Sequence, residues 1–104
     1  MSESILAKKD RAALLKKSSE LSLLFGSLAH PVRLRVLCSL SESEKTVSEL
    51  TEFCEVSQPA MSQFLARMRE EGIVQSRKEG TRVFYEIADP QVGRLLAAVR
   101  AIYC

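Results

Sequence analysis

Three thiols, those of Cys38, Cys54 and Cys104, are the side chains of this sequence best suited to covalent chemistry. A cysteine thiolate can attack an electrophile, bind a soft metal ion or enter a disulfide. Three cysteines in a chain without a secretory signal do not make a structural disulfide framework, and no Cys-x-x-Cys pair is present. The thiols are therefore redox groups, metal ligands or small buried hydrophobic residues.

The sequence patterns of common enzymes do not occur. His30 is the single histidine, and one histidine cannot build a catalytic triad without partners. Because His30 precedes Pro31, we interpret it as a helix N-cap or a packing residue. Ser-x-x-Lys, Gly-x-Ser-x-Gly and a phosphate-cradling glycine loop are also missing. We predict that the protein is not an enzyme and has no catalytic residues and no cofactor; a thiol oxidoreductase is the enzyme class that comes nearest.

Residues 57–87 indicate a second chemistry, the non-covalent recognition of nucleic acid. Gln and Arg side chains can form bidentate hydrogen bonds with base edges in the major groove. Cations on a neighbouring hairpin can contact phosphates. The predicted DNA-contacting residues are Ser57, Gln58, Pro59, Ser62, Gln63 and Arg67 on a helix, and Arg77, Lys78 and Arg82 on the hairpin.

Local signals predict the helix that must position these side chains. Ser57 is a good N-cap residue, and Pro59 lies in the first turn, where its missing N–H costs little. Gly72 is the expected residue just past the helix end. One face of the helix is apolar and is predicted to face the core: Met61, Phe64, Leu65 and Met68.

A hairpin is predicted directly after this helix. Strand-forming residues lie around Val74 and from Val83 to Ile87, with Glu79-Gly80 as the predicted turn between them. A helix followed by a charged β-wing is typical of a winged helix-turn-helix. A solvated helix beside a surface hairpin is the alternative, but it does not explain why cap, apolar face and basic tip agree.

Helices are predicted on both sides of this region. A first helix runs from about Asp10 to Leu28 and has a broad apolar face, which suggests a partner surface. A second helix begins at Pro31. The polar segment Ser41–Lys45 is a predicted loop.

The remaining helices are marked by their caps. Thr46-Val47-Ser48-Glu49 is a capping box that opens a short third helix through Phe53. Asp89 caps a last helix, and Pro90 starts it. Leu95 and Leu96 are among its apolar residues.

The predicted fold is mainly α with a small β-wing, in the order helix, helix, helix, helix, strand, strand, helix. At 104 residues the chain is expected to be one domain over 1–104, with 1–9 as a flexible arm. The first and last helices are amphipathic and lie outside the winged core, so we predict that they form a homodimer interface. A twofold dimer would present two recognition helices to half-sites of a pseudo-palindromic operator.

Charge and hydropathy restrict the partners. The net charge of +2 favours no partner class by itself. Basic residues concentrate in the predicted helix and wing, and acidic residues concentrate upstream between Glu42 and Glu55, which would orient the protein on a polyanion. No apolar run reaches the length of a membrane span, and no signal peptide is visible. A cytoplasmic protein with no membrane partner is expected.

Three segments resemble the ArsR/SmtB family of bacterial transcriptional repressors: SLAHPVRLRVLCSL, SQPAMSQFLARMREEGIV and RKEGTRVFYEI. The resemblance covers about residues 20–104. It implies a homodimer that binds double-stranded operator DNA and releases it when an inducer binds. Many members sense metals at a Cys-x-Cys pair in the third-helix region or at Asp-x-His in the last helix. This chain lacks the pair and has Gln91 in the histidine position, so Asp89 is interpreted as a helix cap and no metal site is predicted.

The cysteines resemble those of the persulfide-sensing branch of that family. In that branch one thiol lies on the second helix and one at the end of the last. Reactive sulfur species join them by a disulfide or a polysulfide bridge, and DNA is released. The resemblance implies that Cys38 and Cys104 are the redox-sensing pair and that the inducer is a small reactive sulfur species.

Other assignments stay open at this point. We expect Cys38 to be the attacking thiol and Cys54 to be a core residue. Arg33 and Arg35 are near Cys38 in sequence, but helical spacing directs them elsewhere. A metal- or arsenite-responsive repressor, a general oxidant-responsive repressor, and a DNA-binding or protein-interaction module without a sensor are the alternatives.

Overall fold

The computed structural model describes residues 8–104. Their contacts divide the chain into two units, one that ends at His30 and one from Pro31 to Cys104. The described part of the first unit contains the helix α1 (Lys8–Leu28). Lys8 and Lys9 are thus helical rather than part of the expected flexible arm, whose residues 1–7 lie outside the described residues. Within residues 8–104, no single helix is long and apolar enough to cross a membrane.

The second unit is a winged helix. Its elements are α2 (Pro31–Glu42), β1 (Lys45–Thr46), α3 (Val47–Cys54), α4 (Gln58–Glu70), β2 (Val74–Glu79), β3 (Arg82–Ile87) and α5 (Pro90–Tyr103). Side chains from α2, α3, α4 and α5 form its core, together with residues at the start of β2. The predicted mainly helical winged fold is confirmed.

Burial within this unit tests two predicted apolar faces. The predicted core face of α4 is fully buried at Met61, Leu65 and Met68. In α5, Leu96 is fully buried inside a single chain, so it belongs to the core and not to the surface that the sequence predicts for a partner. Leu95 beside it is half-buried.

The sheet contains a strand that the sequence does not predict. β1 pairs antiparallel with β3, which gives the strand order β1-β3-β2 within residues 8–104. β1 includes the end of the predicted loop Ser41–Lys45, while α2 extends through the start of that loop to Glu42. Two residues are too few to show the alternation that marks a strand, so only pairing with β3 makes β1 one.

The wing turn lies one residue later than predicted. Glu79 pairs with Arg82, so the hairpin loop is Gly80-Thr81 rather than Glu79-Gly80. Gly80 has a φ of 64°, and Thr81 does not have a positive φ. A left-handed residue at the first loop position is typical of a type II′ turn, which favours glycine there and matches the twist of the two strands.

The ends of the helix-turn-helix are fixed by backbone capping. The predicted capping box is present, with Glu49 N–H donating to the Thr46 hydroxyl and Thr46 N–H donating to the Glu49 carboxylate. At the start of α4, Ala60 N–H donates to Ser57 Oγ at 3.3 Å. At its end Gly72, with a φ of 77°, allows hydrogen bonds from two consecutive N–H groups back to the last turn.

Candidate DNA-binding surface and cysteine site

The face of α4 opposite its buried stripe carries the predicted base-contacting side chains. All of the predicted residues on or next to this helix are exposed: Ser57, Gln58, Pro59, Ser62, Gln63 and Arg67. Amide, hydroxyl and guanidinium groups on one exposed helical face supply the donors and acceptors that read base edges. The candidate recognition helix is therefore α4.

Two arginines of α2 hold the helix-turn-helix. Arg33 donates from Nη1 and Nη2 to the two carboxylate oxygens of Glu71, at 2.8 and 3.2 Å, at the end of α4. Its side chain is only 9% exposed, so this bidentate pair is a strong contact. Arg35 Nη1 donates to the carbonyl of Cys54, at the end of α3, at 3.4 Å. Both guanidinium groups are thus engaged away from Cys38, as predicted.

The three cations of the wing differ in how far they are held by carboxylates. Lys78 and Arg82 are exposed. Arg77 is also exposed, but its Nε and Nη2 donate to both carboxylate oxygens of Glu44, and its Nη1 donates to Glu79 Oε2 at 2.7 Å.

The ion pairs of Arg77 fix the wing to the segment between α2 and β1. Its guanidinium also lies over the Phe84 ring, 4.6 Å from the centroid. The hydrogen bond from Arg77 lowers the pKa of Glu44, so the pair persists into acidic solution. Sequence patterns predict phosphate contact for both Arg77 and Lys78, because Glu44 is distant in the chain and its pairing with Arg77 is not visible locally.

The two predicted sensor thiols lie on neighbouring helices. α5 packs against α2. Cys38 is half-buried on α2, and Cys104 is exposed at the end of α5. Burial raises the pKa of Cys38, the charge of Cys104 raises it further, and Arg100 lowers it. The charge of Cys104 therefore acts on the Cys38 thiol where α5 packs against α2.

The third thiol has a different setting. Cys54 is 1% exposed and lies in the core, as predicted. Burial raises its pKa, and Arg35 lowers it. A buried thiol with a raised pKa is poorly placed to react with a solute.

Arg100 is a residue near the thiols that sequence reasoning missed. Its Nη1 lies 3.8 Å from Glu42 Oε2 across the α2–α5 contact. Its Nε is buried and has no hydrogen-bond partner among residues 8–104. Only the packing of α5 on α2 brings this cation to Cys38, so no local sequence signal could have identified it.

The geometry also bears on metal binding. Within the described residues, no three His, Cys, Asp or Glu side chains are grouped so that they could hold a metal ion. Asp89 Oδ1 accepts a hydrogen bond of 2.9 Å from Gln91 N–H, which confirms its interpretation as a helix cap.

Comparison with known proteins places this architecture in a family. Residues 30–76 match the family described as bacterial regulatory protein, arsR family. The biofilm growth-associated repressor of Agrobacterium fabrum is 40% identical over 88% of this chain and 79% of its own length. The crystal structure of the transcriptional repressor BigR from Xylella fastidiosa superimposes with a TM-score of 0.81 and 36% identity, covering 90% of this chain and 96% of that one.

A more distant solved structure adds a statement about assembly. The winged helix-turn-helix DNA-binding domain Mb0332 from Mycobacterium bovis, described as homodimeric, has a TM-score of 0.67 and 30% identity, and covers 97% of this chain and 87% of that fragment. With the match over residues 30–76, the exposed recognition helix and the wing, these similarities identify the chain as a member of the ArsR family of DNA-binding transcriptional repressors, which are not enzymes.

Proposed function

We propose that this repressor senses reactive sulfur species through Cys38 and Cys104 and releases operator DNA when the two thiols are bridged. The observation that supports this most directly is the packing of α5 against α2, which places Cys104 where its charge acts on the Cys38 thiol. Cys104 is exposed to a solute and Cys38 is half-buried beside it.

The proposed reaction is a two-electron oxidation of the dithiol. The Cys38 thiolate attacks the terminal sulfur of a persulfide RSSH, and the S–S bond of the reagent breaks to release RS⁻. The Cys104 thiolate then attacks Sγ of the Cys38 persulfide and expels HS⁻. Overall, two thiols and RSSH give a disulfide, RSH and H₂S, with the sulfane sulfur reduced to sulfide. Further sulfur transfer before closure would leave a polysulfide bridge.

The bridge would act on DNA through α2. It would tie the end of α5 to the helix whose Arg33 and Arg35 hold the ends of α4 and α3. Release follows if the tied state holds the recognition helices in a spacing that does not fit the operator. A loss of about 3 kcal/mol in the free energy of DNA binding is enough to weaken binding more than a hundredfold.

The proposal includes a homodimer, as in the related M. bovis domain. We assign its interface to α1 and α5, whose exposed apolar residues include Leu15, Leu23 and Ile102. A twofold dimer would place two α4 helices on half-sites of a pseudo-palindromic operator. A repressor of this kind would act in the cytoplasm, where bacterial DNA is located.

One titration tests the proposal as a whole. Binding of the protein to its own promoter and to a scrambled duplex would be measured with and without an inorganic polysulfide. We expect specific binding that polysulfide abolishes and dithiothreitol restores. Equal affinity for both duplexes would contradict operator recognition. Release by peroxide alone, or by a metal ion or arsenite that stays with the protein through desalting, would instead favour one of the alternative sensors.

Base readout by α4 leads to a specific prediction. Gln63→Ala should weaken binding to the operator by about 1–3 kcal/mol and leave binding to scrambled DNA unchanged. Ser62→Ala should act in the same direction. Gln91→Ala, a change of the same type on exposed α5, is the control and should alter neither affinity. Fluorescence anisotropy on both duplexes measures the difference; a uniform loss on both would show that Gln63 contacts only the backbone.

The two wing cations should differ in their salt dependence. Lys78→Ala should lower the slope of log K against log salt by about 1, because one phosphate contact is lost. Arg77→Ala should weaken binding by freeing the wing from Glu44, with less change in the slope. Affinity measured over a range of salt concentrations separates the two effects. An equal loss of slope in both variants would mean that Arg77 leaves Glu44 for a phosphate in the complex.

A further inference from the structure

Two pairs of side chains face each other across the α2–α5 contact. Cys38 and Glu42 are one turn apart on α2, and Arg100 of α5 lies one turn before Cys104, the C-cap residue of that helix. Arg100 Nη1 lies 3.8 Å from Glu42 Oε2, and Cys104 is the thiol that affects Cys38. The two pairs therefore run in antiparallel order: Cys38 is paired with Cys104, and Glu42 with Arg100. Each thiol is one helical turn from a charged side chain.

Arg100 has an incomplete set of partners at this place. The guanidinium is 39% exposed, and its contact with Glu42 involves a single nitrogen at a long distance. Its Nε–H is buried and makes no hydrogen bond to any residue from 8 to 104. A buried donor without an acceptor costs free energy, so an anion placed beside it would be stabilised.

We propose that Arg100 is the positioning residue of the sulfur-sensing site, and that its guanidinium holds anionic sulfur at Cys38 before and during bridging. The inference rests on the proposed function and assigns to the site a cation that stabilises the anionic sulfur formed in the proposed reaction. The cation stabilises the Cys38 thiolate before it attacks RSSH, and then the HS⁻ that leaves when the Cys104 thiolate attacks the protonated persulfide on Cys38. The charged groups that act on the Cys38 thiol are Cys104 and Arg100, both from α5.

The test is the pH profile of Cys38 alkylation by iodoacetamide, followed by peptide mass spectrometry in the full-length Cys104→Ser protein. Replacing Arg100 by Gln removes the cation, so the thiolate fraction at neutral pH falls. We expect Cys38 in this variant to be alkylated about three- to fivefold more slowly than in the parent protein, with the pH profile displaced to higher pH. An effect of this size is typical of losing one partly exposed charge contact. Arg100→Lys should restore part of the rate, since it keeps the charge but lacks the Nε–H.

Arg94→Gln is the matched control, because Arg94 is exposed on the same helix and does not contribute to the pKa shift of Cys38. Its profile should coincide with that of the parent protein. An Arg100→Gln protein that keeps its thermal transition and the parent profile would overturn the proposal, and so would an equal displacement in Arg94→Gln. Neither result depends on DNA release, so failure of persulfide sensing would be recognised separately.

Discussion

Cys38→Ser and Cys104→Ser are each expected to bind operator DNA as tightly as the parent protein and to remain bound when polysulfide is added. In the parent protein, the same treatment should weaken binding more than about a hundredfold, or about 3 kcal/mol. Each substitution removes one end of the bridge, so the end of α5 can no longer be tied to α2. The side chains are half-buried and exposed, respectively, so neither serine should disturb the fold.

The rate of release should depend on pH in a defined direction. Burial raises the pKa of Cys38, and the charge of Cys104 adds to the rise, so the thiol form predominates near neutral pH. The thiolate fraction, and with it the rate of attack, should increase about tenfold per pH unit as long as the pH is below the pKa. Stopped-flow measurement of DNA release at a fixed concentration of the neutral persulfide RSSH would follow this slope.

Cys54 provides the internal control. Since it is buried in the core, alanine is a better replacement than serine, whose hydroxyl would lose its water without gaining a partner. Cys54→Ala should release DNA on treatment like the parent protein. Intact mass and peptide mapping would locate the bridge. A bridge that includes Cys54, or release of DNA by treated Cys104→Ser, would falsify the assignment.

Features of the fold that depend on nearby residues could be predicted from the sequence. Thr46 and Glu49 form their capping box within one turn, and Ser57 and Asp89 cap the helices that follow them directly. Gly72 ends α4 through a backbone conformation that glycine favours. Such signals involve residues a few positions apart, so they can be recognised in the sequence alone.

Features that depend on distant residues could not be predicted in this way. β1 exists only because Lys45 and Thr46 pair with β3. Arg77 is held by Glu44, a contact between segments that local patterns do not relate. For the same reason the Cys38–Cys104 pair came from a resemblance to a family and not from spacing, and Arg100 was not recognised beside it.

The last helix shows how burial changes the design of an experiment. Periodicity placed Leu95 and Leu96 on one apolar surface of α5, available to a partner. In the structure Leu96 is fully buried within its own chain, whereas Ile102 is 73% and Tyr103 is 82% exposed. Only the exposed residues can report on an interface, because a change at Leu96 acts first on the core.

Leu96→Glu is therefore expected to unfold the subunit, whereas Ile102→Glu should leave it folded and prevent dimerisation. A carboxylate without a partner at the position of Leu96 costs several kcal/mol, which is a large part of the stability of a small domain. The melting temperature should fall by about 20 °C or more, or the transition should be lost.

Ile102→Glu places its charge where a single chain already exposes the side chain, so the cost arises only when two subunits meet. Circular dichroism should show a helical content close to that of the parent, light scattering should show monomers, and operator binding should be lost with the dimer. A folded Ile102→Glu protein that remains dimeric would place the interface away from the end of α5. A Leu96→Glu protein with an unchanged melting temperature would contradict the packing of α5 in the core.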